Sequence, residues 1–155
     1  MGAFHFFLGW LYGHIFEYVA HRYLLHGRKR FKRLFRNHFK SHHNISRKNK
    51  MYDASYENLF SSKFEIASLT LALIAHLPIL YFSPYFFAAI VWSIVSYYTI
   101  HKISHVNTSW GKRWIPWHYE HHMGKNQHLN WGVRLPIVDK ILKTSNYWRP
   151  FGGSV

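Results

Sequence analysis

Ten of the fourteen histidines in this chain stand in four short clusters, and any fold it adopts must bring those clusters to one place. They read HRYLLH at 21–26, HFKSHH at 38–43, HKISH at 101–105 and HYEHH at 118–122. Imidazole binds zinc, iron, copper and nickel, and ten such ligands exceed the need of one ion while suiting two ions with four or five nitrogens each. The chain has no cysteine, which excludes thiolate zinc sites and disulfide stapling. The clusters therefore predict a two-metal centre.

Residues three or four apart share a helix face. His101 and His105 are such a pair, His38 and His42 another, and His118, His121 and His122 are expected to point into one site. His21 and His26 are five apart, and an ideal helix would turn them about 140° from each other. A helix end or local unwinding is expected there. His5, His14 and His76 stand alone and are read as hydrogen-bonded core residues, while His128 fits either role.

Composition points to a membrane. Apolar residues make up 48% of the 155 and aromatics 20%, the acidic residues number six, and the formal charge is +14. Two uncharged apolar stretches, 66–82 and 85–100, would each span about 25 Å as helix, the short end of what crosses a hydrocarbon core. Ser83 and Pro84 between them predict a helical hairpin, with a kink at Pro78. A third apolar stretch, 3–20, carries His5, His14 and Glu17 and lacks the basic start and small-residue cleavage site of a signal peptide.

Ten of the twenty Lys and Arg lie between 28 and 50, and Lys112, Arg113 and Lys125 follow the hairpin. The positive-inside rule then puts both hairpin ends, and all four clusters, on the cytoplasmic face. Within the basic segment Phe31, Phe35, His38, Phe39 and His42 form one stripe at helical spacing, the pattern of a helix lying in the membrane interface. Basic residues interleaved with aromatics also suit nucleic acid. That reading leaves the apolar hairpin and the other clusters without a purpose, so no nucleic-acid partner is expected. The stretch 148–155, with Pro150 and two glycines, is expected to fray. The expected fold is a single all-α domain over 1–155. An N-terminal apolar helix and an apolar hairpin carry a cytoplasmic helical cap that holds the dimetal site.

The order HxxxxH, HxxxHH, HxxxH, HxxHH, with the hairpin between the second and third boxes, resembles the membrane fatty acid hydroxylase superfamily of di-iron oxidoreductases over about 16–142. EYVAHRYLLH at 17–26 is similar to the fatty acid 2-hydroxylase branch, and NWG at 130–132 and VDK at 138–140 resemble segments that follow the last box. The second box has one extra residue, and NISRKNKMYD after it is longer than usual. The resemblance implies that His21, His26, His38, His42, His43, His101, His105, His118, His121 and His122 hold two iron ions, with zinc able to occupy the site in isolated protein. Dioxygen is the implied co-substrate, and the implied reaction is hydroxylation of a membrane fatty acyl chain, at the 2-position of a sphingolipid or free acid. Glu17, four residues before His21, is placed to accept the spare N–H of that ring, and Asp139 and Asn130 are further candidates to support ligands from behind.

No Gly-rich nucleotide fingerprint, P-loop or haem domain is visible. A separate electron donor of the cytochrome b5 or ferredoxin kind, with its reductase, is therefore implied. The same residues allow a desaturase, or a hydroxylase acting on a sterol or carotenoid. From a different class, they allow a membrane zinc-binding protein without catalysis. A transporter would place ligands in mid-span, where only His76 lies.

Overall fold

The computed structural model describes residues 1–28 and 30–147, so the stretch at 148–155 lies outside it. Its elements are helical throughout, with no strand among the described residues. Helix α1, Gly2–Val19, runs on into a π-helical segment, Ala20–Leu25. Next comes one continuous helical run: α2, Lys32–Phe35, a second π-helical segment, Arg36–His42, and α3, His43–Lys48. A single 3-10 turn, Ala54–Tyr56, precedes the two longest helices, α4, Lys63–Phe82, and α5, Pro84–Val106. Short helices α6, Thr108–Trp114, α7, Pro116–Met123, and α8, Ile137–Ile141, complete the order.

The hairpin forms where the sequence places it. Ser83 is extended and Pro84 opens α5, where its missing N–H costs nothing. Pro78 lies inside α4, which continues through it to Phe82. Both helices are long and apolar enough to cross a membrane. None of the residues of α4 is fully buried, and Leu71, Ile74, Leu77 and Tyr81 are exposed, a continuous apolar surface of the kind that lipid covers.

Helix α1 lies along α5. A Cβ at Gly9 would come 2.6 Å from the Phe86 carbonyl, and one at Gly13 would come 2.2 Å from Ser93 Oγ. This small-xxx-small spacing is what lets two backbones touch in a lipid environment. At the other end of α5 the short helices fold back, with Gly111 of α6 against the Ser104 carbonyl. Ile115, Trp117 and Val133 form a small buried core there. The four histidine clusters all sit at this capped end.

The isolated histidines divide. His76 accepts a hydrogen bond from the Tyr12 hydroxyl, 2.7 Å away. His14 is buried against the edge of Trp10, but its Nε2 has no hydrogen-bond partner. His5 is exposed beside Ser83, so it is not a core residue. His128 is exposed and stacks on Phe39.

Candidate metal centre

The π-helical segments decide how the histidines face. In a π-helix the backbone bonds join residues five apart, which stacks them one turn above the other. His26 N–H donates to the His21 carbonyl at 3.1 Å, and the two rings lie 5.2 Å apart. The local unwinding expected at HRYLLH takes this form. The second box repeats the device: His43 N–H donates to the His38 carbonyl, and those rings are 4.9 Å apart. The extra residue in HxxxHH is thus a register shift that pairs His38 with His43 instead of His42.

Two groups result. His21, His26, His38, His43 and His121 each bring a ring nitrogen within 4.8 Å of the others, and His42, His101, His105 and His122 do the same in a second group. His118 borders the second group, its ring 5.0 Å from His101 and 4.7 Å from His122, with both of its nitrogens buried and without hydrogen-bond partners. The groups abut where His43 and His122 stack at 4.1 Å. Two expectations are corrected. His38 and His42 face different groups, and the HYEHH trio does not share one site. On the regular helix α7, His121 and His122 point about 100° apart, so α7 stands between the groups and serves both.

Five rings are held from behind through Nδ1–H. His21 donates to the Trp131 carbonyl at 2.6 Å, His121 to that of Leu129 at 2.7 Å, and His105 to that of Met51 at 2.8 Å. His42 donates to Asp53 at 2.9 Å and His101 to Glu65 at 2.7 Å. Such bonds fix the tautomer and leave Nε2 with its lone pair. The Nε2 atoms of His42, His101, His105 and His121 are buried with no partner, as are both nitrogens of His26 and His122. Buried polar atoms without partners are costly and rare, so a cluster of them aimed at two points is the mark of a cation site. Two imidazole-loving metal ions fit this donor set, one in each group.

Residues 6–144 match the fatty acid hydroxylase family. The chain belongs to that family. No curated protein and no solved structure matches it. As a family member it is a membrane hydroxylase-type oxygenase.

Burial keeps the hydroxylase's clustered imidazoles neutral. It pushes His26 down to about 2 and His121 to about 3, with neighbouring imidazoles adding to the effect. His21, His38, His43, His118 and His122 lie well below the ordinary imidazole value for the same reasons. Burial would raise Asp53, but hydrogen bonds from His42 and Ser55 outweigh it and hold this carboxyl below its usual range.

The expected supporting residues act one layer further out. Glu17 does not meet His21; it accepts the backbone N–H groups of Val133 and Arg134 and pairs with Arg134 Nε at 2.6 Å. The Nδ1–H it was expected to accept goes to Trp131 instead. Asp139 takes the N–H groups of Trp131 and Gly132, and so fixes the loop whose carbonyl holds His21. Asn130, at φ 60°, ties that loop to Ser145 and Asn146. Asp53 and Glu65 were missed. The sequence did carry a signal for them, because in a chain of charge +14 with six acidic residues every carboxylate needs a reason.

A cavity of about 630 Å³ opens beside the histidine groups. Its lining includes His21, His38 and His42, the polar Asn37, Ser61 and Lys63, and apolar side chains of α1, α4 and α5.

Proposed function

We propose that this hydroxylase is a di-iron monooxygenase that inserts one oxygen atom into a membrane fatty acyl chain near its polar end. The observation that carries the reading is the pairing of two buried imidazole groups with a cavity that His21, His38 and His42 of those groups line together with polar and apolar side chains. His21, His26, His38, His43 and His121 would hold one ion, and His42, His101, His105, His122 and His118 the other. Iron there supplies the reduction of dioxygen and the oxidation of a C–H bond; zinc suits the same nitrogens and supplies neither.

The chain's own residues do the rest. Asn37, Ser61 and Lys63 in the lining would take a carboxylate or lipid headgroup, and the apolar side chains of α1, α4 and α5 the tail. This orientation leaves a carbon close to the headgroup beside His38 and His42, which supports oxidation at or near the 2-position. The apolar walls exclude water from that carbon, and the carbonyls and carboxylates behind the rings keep the ligands from swinging. Lys32, Arg33, Arg36 and Lys40 are exposed on the helical run that carries the second box, a basic surface for an acidic electron donor of the cytochrome b5 or ferredoxin kind.

Lipid mass spectrometry of cells expressing the chain tests the reaction. A gain of one oxygen in an acyl chain is expected; a loss of two hydrogens would make the protein a desaturase, and no change in any lipid would leave a metal-binding role. Cytoplasmic placement is tested by cysteines introduced at Lys48 and Lys125, both expected to be labelled from the cytoplasmic side. Labelling from opposite sides would overturn that topology.

A further inference from the structure

Helices α1, α4 and α5 all stop lining the cavity at the same level. On α1 the last contributor toward the hairpin turn is Tyr12, on α4 it is His76, and on α5 it is Ile90. At that level Tyr12 crosses from α1 to α4 by donating its hydroxyl proton to His76 Nε2 at 2.7 Å. His76 Nδ1–H is already committed to the Ala72 carbonyl at 2.6 Å, so Nε2 is an acceptor and the bond has one possible sense. Phe16 meets the His76 ring edge-on at 5.2 Å, and Phe86 of α5 lies 5.6 Å from Tyr12. Three helices are thus joined by one aromatic layer. A hydrogen-bonded Tyr-His pair is an expensive thing to place between apolar helices unless it closes something.

We infer that this Tyr12–His76 layer is the floor of the substrate channel, and that it selects the oxidised carbon by its distance from the far end of an unbranched apolar chain. The inference rests on the acyl-substrate reading above. The three walls give concordant depths. Tyr12 to His21, His76 to Glu65 and Ile90 to His101 are nine to eleven residues, about 14 to 17 Å at 1.5 Å per residue. An extended carbon chain with 1.52 Å bonds and angles near 111° advances about 1.25 Å per carbon, so the channel holds about a dozen carbons beyond the oxidised one. A longer tail would meet the floor before the reacting carbon reached the ligands, or would shift the position oxidised away from the polar end.

The test measures binding and regiochemistry separately. Zinc-loaded full-length protein, which does not turn over, is titrated with saturated fatty acids of increasing length. Affinity should rise about fourfold per added carbon until the tail meets the floor, then level off. Tyr12→Ala should move that break to chains about two to four carbons longer, the reach of the removed phenol. Ala72→Phe, which fills the channel one turn above His76, should move it about four carbons shorter. Tyr12→Phe should leave it in place, because the floor is steric. In iron-loaded protein the same variants should shift the oxidised carbon in the same direction. Breaks at one length in wild type, Tyr12→Ala and Ala72→Phe would overturn the floor while leaving an acyl substrate intact. No binding of any fatty acid by the wild type would overturn the acyl reading and the floor with it.

Discussion

Asn130 and Met51 both hold a left-handed backbone, at φ 60° and 81°. Asn tolerates that region and Met does not, at a cost of about 1 to 3 kcal/mol. Each residue sits where the chain must aim a carbonyl: Met51 presents its own to His105, and Asn130 lies between Leu129 and Trp131, which serve His121 and His21. At these two positions the strain sits where the carbonyls that hold the rings are aimed. Glu17 makes the corresponding case for charge. It and Arg134 are 8% and 6% exposed, so removing the carboxylate strands a buried guanidinium. Glu17→Ala should cost about 3 to 5 kcal/mol, and adding Arg134→Met should restore much of it. Thermal melting of the single and double variants checks this. An unchanged melting temperature with weakened metal binding would mean instead that Glu17 acts on His21.

At the scale of elements the decisive feature is the pair of π-helical segments. Ser41 is exposed within the second, and inserting an alanine beside it puts His43 six residues from His38, a spacing that neither π nor α geometry stacks. The insertion should break the first group while sparing His101, His105 and His122 on α5 and α7, so metal content should fall from about two ions per chain to about one. Two ions retained would show that the register shift does not matter. This is also where the sequence stops being readable. The hairpin was legible because Ser83 and Pro84 break two uncharged runs. His101 with His105 was legible because α5 is a regular helix. The partition of the other rings was not, because alignment four apart assumes α geometry and the backbone in both early boxes is wider. HxxxxH was the visible trace of that widening, and the inserted residue in HxxxHH was a second trace of the same thing. Asp53 and Glu65 stood out only as scarce carboxylates, and their partners were not legible because each lies in a separate segment from the ring it holds, eleven and thirty-six residues away.

For the whole molecule, acid is the natural probe. Eight clustered histidines outside the long apolar helices, His21, His26, His38, His42, His43, His118, His121 and His122, have folded values below the unfolded imidazole value near 6.5. Above that pH neither state binds protons and stability is level. Below it the unfolded chain takes up protons that the fold refuses, so stability falls with pH by about 1.4 kcal/mol per unit for each such ring. The metal-free protein should therefore melt far lower at pH 5.5 than at pH 7.5; equal melting temperatures would contradict buried neutral ligands. The central claim is that these rings form two metal sites and not one. Elemental analysis after anaerobic iron reconstitution of the full chain tests it most directly. The two buried imidazole groups predict about two metal ions per chain, falling when His121→Ala opens the first group. One iron or fewer per wild-type chain would contradict it.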